Sequence, residues 1–177
     1  KLIDRIQENE LDKNEKQIKL FISAINLFYT DQYSKSLKKS DEFIKLNNGE
    51  NKIIYIIRGF ANASLENHIE AIKDFKIALK EKWEINGIKA NLAYSYLRNK
   101  NNFKALLMYR EIVRFFPDHW KVQYNTGLSY FKFALFKKAI PFLNRTEELN
   151  PNFAGTYLTR GFIHLKKRQK DLALKDW

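Results

Sequence analysis

The sequence contains no cysteine and few of the residues that interrupt helices, with 3 prolines and 6 glycines among 177 residues. The lack of cysteine excludes disulfides, thiolate metal sites and a cysteine nucleophile. Scarce glycine and proline favour long helices with short connections over a turn-rich β fold. No apolar run approaches the roughly 18 residues that a membrane-spanning helix needs.

Positive charge is in excess, with 32 lysine and arginine residues against 20 aspartate and glutamate residues and a net charge of +12. Such an excess favours acidic partners such as nucleic acid, anionic membrane surfaces or acidic protein segments. Lysine and asparagine are frequent along the whole chain, so part of this charge reflects composition on solvated helix faces.

Small residues recur at intervals of 34 residues in two columns, and a third column at the same interval is bulky. The small columns are Gly59, Ala93, Gly127 and Gly161, and Ala71, Ala105, Ala139 and Ala173. The bulky column is Phe75, Tyr109, Leu143 and Trp177. A fixed interval of this length predicts stacked repeats, each made of two amphipathic helices that approach closely at the small residues.

Two stretches resemble the tetratricopeptide repeat (TPR) family. One reads Tyr-Asn-Thr-Gly-Leu-Ser-Tyr at 124–130 and Phe-Lys-Lys-Ala-Ile at 136–140; the other reads Tyr-Ile-Ile-Arg-Gly at 55–59 and Glu-Ala-Ile-Lys-Asp-Phe at 70–75. The resemblance covers residues 17–177 and is weaker in the first repeat. It implies an all-α, right-handed superhelical solenoid of about five helix-turn-helix repeats, the last one incomplete.

We predict a charged helical lead-in over residues 1–16, followed by a TPR domain over 17–177. Its repeats fall at about 17–50, 52–85, 86–119, 120–153 and 154–177. The sequence departs from the family pattern at three positions. Phe103 lies one residue late, Trp83 replaces an expected proline, and Pro141 falls inside a predicted helix, where it removes a backbone hydrogen bond.

The resemblance also implies a binding surface, because the first helices of TPR proteins line a concave groove. Here the corresponding positions are largely apolar or aromatic with basic residues at the rim, which is unusual for a solvated helix face. The candidate groove residues are Ile56, Phe60, Asn91, Tyr94, Arg98, Lys121, Tyr124, Asn125, Leu128, Phe131, Lys132, Phe162 and Lys166. Asn91 and Asn125 match positions where the family often binds a ligand's backbone. The alternative is that these residues pack against neighbouring repeats or under an N-terminal helix.

These features predict a non-catalytic protein-interaction scaffold that binds an amphipathic or apolar peptide with apolar anchors and acidic residues. The alternative is binding of RNA or another polyanion through the basic surface. End-to-end self-association is a further expectation, since solenoid ends need covering. A clamp for an acidic C-terminal tail is disfavoured, because the lysine and asparagine positions of that TPR subfamily hold Ile56 and Phe60, or Ala90 and Tyr94.

The sequence carries no catalytic motif, such as a glycine-rich phosphate loop, a zinc-protease helix or a serine-hydrolase elbow. The histidines His68, His119 and His164 lie at unrelated points of the repeat, which favours structural roles. We therefore expect no enzyme activity, no metal site and no cofactor in this segment. The chain begins at Lys1 without a visible signal, so we expect a fragment or processed form that is soluble, in the cytoplasm or the periplasm.

Overall fold

The computed structural model describes the backbone of residues 2–80 and 86–177, and the side chains of residues 12–80 and 87–177. Within these ranges the chain forms ten helices and no strand. The helices are α1 (Leu2–Tyr29), α2 (Tyr33–Leu46), α3 (Ile53–Ser64), α4 (His68–Ala78), α5 (Asn86–Arg98), α6 (Asn102–Phe115), α7 (Trp120–Lys132), α8 (Phe136–Leu149), α9 (Ala154–Lys166) and α10 (Lys170–Asp176). Trp83 lies outside the described residues.

The chain divides into two compact bodies, an N-terminal half (Lys1–Ser95) and a C-terminal half (Tyr96–Trp177). In the N-terminal half, α1 packs on α2 and α3 packs on α4. In the C-terminal half, α7 packs on α8 and α9 packs on α10. Consecutive helices therefore form antiparallel pairs joined by short turns, as the repeat pattern predicts.

All eight residues of the two small columns are buried, and the three glycines lie where two helices meet. A Cβ atom added to Gly59 would lie 2.8 Å from the Phe75 ring, and one added to Gly127 would lie 3.1 Å from the Leu143 side chain. A Cβ added to Gly161 would overlap the Trp177 indole. The small residues are therefore needed because the bulky column of the partner helix presses against them.

The first repeat uses a different pair of residues at this contact. Ala24 on α1 and Ser36 on α2 are both fully buried, and the Ser36 hydroxyl donates a hydrogen bond of 2.8 Å to the Ala24 carbonyl. Helix α1 is continuous from Leu2 to Tyr29, so the predicted lead-in and the first repeat share one helix. Helix α8 is likewise continuous through the exposed Pro141.

The turn inside each repeat has the same left-handed backbone geometry. A residue other than glycine takes a φ between 55° and 63° at five positions: Asp31, Glu66, Lys100, Ala134 and Arg168. The N–H of the next residue then donates to the carbonyl five residues earlier, as from Leu135 to Tyr130 at 3.1 Å. This is the Schellman arrangement, which ends the first helix and lets the second begin two residues after the left-handed residue.

An arginine–aspartate ion pair joins the two helices in the second and fifth repeats. Arg58 donates to both carboxylate oxygens of Asp74, at 2.7 Å from Nη2 and 3.1 Å from Nε, and Arg160 bonds Asp176 in the same way at 2.6 and 3.0 Å. Burial raises the pKa of the Asp74 carboxyl, while hydrogen bonds from Arg58 and Asn62 oppose that rise. The Asp74 side chain is therefore committed to internal bonds.

Candidate functional site

The predicted site residues fall into two groups, one in each half of the chain. Four lie in the N-terminal half: Ile56, Phe60, Asn91 and Tyr94. Nine lie in the C-terminal half: Arg98, Lys121, Tyr124, Asn125, Leu128, Phe131, Lys132, Phe162 and Lys166.

In the N-terminal half, the two site residues on α3 take part in packing. The half-buried Phe60 ring lies 5.9 Å from Phe28 on α1 and 5.3 Å from Phe75 on α4. Ile56 packs against the buried cluster that includes Ala24 and Ile54. Phe60 thus contacts the partner helix of its own repeat as well as α1, because its large ring reaches back to Phe75.

The two site residues on α5 are also engaged within the N-terminal half. The Asn91 carboxamide donates a hydrogen bond of 2.8 Å to the Gly87 carbonyl of its own helix. The half-buried Tyr94 ring meets His68 edge-on at 5.9 Å. Other large apolar side chains of this half are more exposed, among them Ile18, Ile22 and Tyr29 on α1. Their positions i, i+4 and i+11 place them on one face of α1. The buried Ala24 shows which face of α1 packs against α2 and therefore which face is exposed.

In the C-terminal half, four site residues form one face of α7, which we call the α7 stripe: Lys121, Asn125, Leu128 and Lys132. Their spacing of i, i+4, i+7 and i+11 places them in line along the helix. Lys121 and Lys132 are exposed, and Asn125 and Leu128 are half-buried. The opposite face is anchored by buried residues, including Gly127 and the fully buried Thr126 and Ser129.

The neighbouring residues Tyr124 and Phe131 pack α7 against α9. The Tyr124 hydroxyl lies 3.4 Å from that of Thr159, and its ring lies 4.7 Å from the ring of Phe153. Phe131 packs against the cluster that contains Leu143 and Ile163. Two of the predicted groove residues therefore hold adjacent helices together, while the α7 stripe remains accessible beside them.

Helix α9 exposes an apolar face next to this contact. Leu158, Phe162 and Leu165 follow at i, i+4 and i+7, and each exposes about half of its surface, at 53%, 48% and 44%. The Phe162 ring meets Trp177 at 5.4 Å. The exposed Lys166 lies one turn beyond Phe162. The α9 residues that correspond to the α7 stripe thus combine an apolar anchor with a cation.

The lysines of this surface lack acidic partners among the described residues. Some exposed cations elsewhere pair with nearby carboxylates, as Lys73 does with Glu70 at 2.7 Å and Arg145 with Glu148 at 2.7 Å. Lys121, Lys132 and Lys166 form no such pair within the described part of the chain; the Lys121 ammonium lies 5.4 Å from the centre of the Trp120 ring. The α7–α9 surface therefore presents uncompensated positive charge.

Nothing in the described residues resembles a metal centre. No group of three histidine, aspartate or glutamate side chains is placed to hold a metal ion in those parts of the chain. His164 has a structural environment, with Nδ1 3.0 Å from the Gln169 side-chain oxygen and Nε2 3.9 Å from Asp176. Among the same residues, no helix is both long and apolar enough to cross a membrane.

Comparison with solved structures places this architecture among known proteins. YrrB, described as a TPR protein with an unusual peptide-binding site, superposes with a TM-score of 0.76 at 17% identity, covering 96% of this chain and 87% of YrrB. The chain has the TPR fold. MamA from Desulfovibrio magneticus RS-1 superposes with a TM-score of 0.80 at 18% identity, covering 91% and 90% of the two chains. These likenesses confirm the predicted all-α repeat fold.

Sequence comparison gives a narrower match. No family model matches the chain. A UDP-N-acetylglucosamine–peptide N-acetylglucosaminyltransferase of Giardia intestinalis is 30% identical over 111 residues, which are 61% of this TPR chain. The match spans only 7% of the length of that transferase, so it concerns one segment of a much longer protein.

Proposed function

We propose that this TPR chain is a non-catalytic protein-interaction module, and that the α7 stripe with the adjacent face of α9 binds an amphipathic peptide segment of a partner protein. The observation that carries the proposal is that α7 has separate sets of residues for packing and for exposure. Tyr124 and Phe131 pack the helix in place, whereas Lys121 and Lys132 are exposed without acidic partners among the described residues. A surface that combines free cations with exposed apolar side chains fits a ligand with acidic and apolar residues.

Each residue of the surface has a distinct role in this proposal. Leu128 and Phe162 contact apolar side chains of the peptide. Asn125 offers a carboxamide that makes no hydrogen bond to any described residue, and it can both donate to and accept from a peptide backbone. Its counterparts one repeat away are already engaged, since Asn91 bonds Gly87 and Thr159 bonds Gly155. The peptide-binding site named for YrrB supports this use of the fold.

The test is peptide selection followed by matched charge reversals. Peptides that bind the purified chain are selected from a random library, and their dissociation constants are measured by fluorescence anisotropy. The double substitution Lys121→Glu and Lys132→Glu is expected to weaken binding at least about tenfold, which is about 1.4 kcal/mol. The control, Lys137→Glu and Lys138→Glu, makes the same charge change at exposed positions of α8. Equal effects of the two double substitutions contradict the proposal.

Binding of RNA or another polyanion is the second candidate, and one observation favours it. The exposed cations Lys166, Lys167, Arg168 and Lys170 cluster at the turn between α9 and α10. A polyanion binds through total positive charge and loses affinity steeply as salt rises. The α7 and α8 charge reversals are then expected to weaken oligonucleotide binding to a similar extent, with no selected peptide competing.

A further inference from the structure

The cations of the C-terminal half follow the repeat. Arg98, Lys132 and Lys166 occupy the same register, 34 residues apart, and each lies in the last turn of its helix. The first helices of the earlier repeats have no basic residue in the last turn. Lys132 and Lys166 lie on α7 and α9, which contact each other through Tyr124 and Thr159. The two lysines thus occupy equivalent positions on two helices that pack against each other.

The spacing of these helices sets the spacing of the anionic groups that they can hold. Packed helices have axes about 8–10 Å apart, and residues at equal register project side by side from them. In a polyproline-II segment, residues three apart lie on the same side at a separation of about 9 Å. In a β-strand the nearest residues on one side are about 7 Å apart. On an α-helix, residues four apart are separated by about 6 Å. The polyproline-II spacing falls within the range of the helix separation.

The structure also favours an extended ligand over a helical one. An α-helix satisfies its own backbone hydrogen bonds, whereas an extended segment leaves N–H and C=O groups that need partners. Asn125, about two turns before Lys132 on the same face of α7, offers a carboxamide with no hydrogen bond to the described residues. An extended segment that continues along α7 from Lys132 towards Asn125 offers backbone groups to this carboxamide.

We propose, resting on the function proposed above, that the bound segment carries two carboxylates three residues apart in a polyproline-II-like conformation. Lys132 binds one carboxylate and Lys166 binds the other. The two residues between them point away from the cations, and one of them contacts Leu128 and Phe162, which lie one turn before the lysines on their helices. The recognised feature is therefore an acidic pair of fixed spacing with an apolar residue inside it.

The test uses synthetic peptides of about a dozen residues that place two glutamates at separations of two, three, four and seven residues around one leucine. The separation of three is expected to bind about tenfold more tightly than the others. Lys132→Ala with Lys166→Ala is expected to abolish this preference. In the Lys132→Ala variant, replacing one of the peptide's two glutamates with glutamine is expected to cause no further loss of affinity. The Lys132→Arg variant is expected to retain the preference for a separation of three. Lys137→Ala with Lys138→Ala serves as the control for total charge.

Three outcomes overturn the inference: equal affinity at every separation, a preference for three that persists without both lysines, or an equal effect of the control pair. Loss of binding in Phe162→Ser, combined with indifference to glutamate spacing, leaves the proposed function intact and removes only the acidic pair. Failure of every peptide to bind the folded wild-type chain contradicts both. Displacement of the peptides by oligouridylate at the same stoichiometry in all variants assigns the lysines to polyanion binding instead.

Discussion

The α3–α4 and α9–α10 pairs occupy equivalent places in the repeat but have different surroundings. Both are joined by an ion pair at the same register, Arg58 with Asp74 and Arg160 with Asp176. They differ in the bulky residue that covers the small contact, because Phe75 is fully buried and Trp177 exposes 55% of its surface. The same local sequence pattern thus encloses the bulky residue in the α3–α4 pair and leaves it half exposed in the α9–α10 pair.

The repeats between these two pairs do without the ion pair. The same register holds Leu92 and Met108 in the third repeat and Thr126 and Phe142 in the fourth. Phe142 stacks on Tyr130 with ring centres 5.6 Å apart, while the Thr126 hydroxyl bonds the Val122 carbonyl of its own helix. The fold therefore accepts either an ion pair or apolar side chains at this register. Where the carboxylate is buried, its arginine partner has to be present as well.

Breaking the ion pair of the second repeat is expected to have the largest effect. Arg58→Leu leaves the Asp74 carboxylate, which exposes only 1% of its surface, with Asn62 as its remaining partner. An uncompensated buried charge of this kind costs about 3–5 kcal/mol of unfolding free energy. The double substitution Arg58→Leu with Asp74→Met copies the third repeat and should return stability to within about 1 kcal/mol of wild type. Urea unfolding followed by circular dichroism measures both.

The fifth repeat supplies the matched comparison for this prediction. Arg160→Leu is expected to cost less than Arg58→Leu, because the Asp176 side chain is slightly more exposed than that of Asp74, at 7% against 2%, and lies 3.9 Å from His164 Nε2. Equal losses in the two variants, or a double variant as unstable as Arg58→Leu alone, would show that the ion pair contributes through something other than the burial of its charge.

Adding a methyl group at the small contact sharpens the same comparison. Gly59→Ala forces a Cβ to within 2.8 Å of a buried ring that has nowhere to move, so we expect a loss of about 1–3 kcal/mol. In Gly161→Ala the overlap with Trp177 is closer, but the exposed indole can rotate away and alanine gains about 1 kcal/mol of helix propensity. Near-neutral stability with altered tryptophan fluorescence is the expected result. A larger loss at Gly161 than at Gly59 contradicts it.

The smallest predicted effect concerns the turns. Ala134 is exposed and has a φ of 55°, so Ala134→Gly relieves left-handed strain and should stabilise the chain by about 0.5–1 kcal/mol. The control is Ala63→Gly, inside the regular helix α3, which should lose about 1 kcal/mol. Thermal unfolding distinguishes the two signs, and destabilisation by both glycines would refute strain at the turn.

The sequence predicts the helix contacts well because these contacts require small residues, which recur at a fixed interval in the sequence. Gly59 and Ala71 are small for a steric reason, and that reason recurs in each repeat. The left-handed turn leaves no such mark, since the Schellman hydrogen bonds use backbone atoms and accept side chains as different as Glu66 and Arg168. The ion pair was also not predicted from the sequence, because among the described residues it occurs in two of the repeats and so gives no periodic pattern.

The sequence predicts only part of the candidate site, because helical spacing gives the face on which a residue lies but not what its side chain contacts. Helical spacing places Lys121, Asn125, Leu128 and Lys132 on one face without further information. Whether an aromatic side chain on such a face is free depends on its reach, which spacing does not give. Phe60 illustrates this limit, because its ring contacts two neighbouring helices although its position in the repeat matches that of the exposed Phe162.

The most direct test of the α7–α9 surface is site-specific photo-crosslinking to the selected peptide. A benzophenone amino acid replaces Asn125 on the α7 stripe or Lys138 on the exposed face of α8, and the crosslinked product is quantified by mass spectrometry. We expect efficient crosslinking from position 125, suppressed by excess unlabelled peptide, and background levels from position 138. Equal crosslinking from both positions, or none from position 125 at a saturating peptide concentration, would contradict peptide binding at this surface.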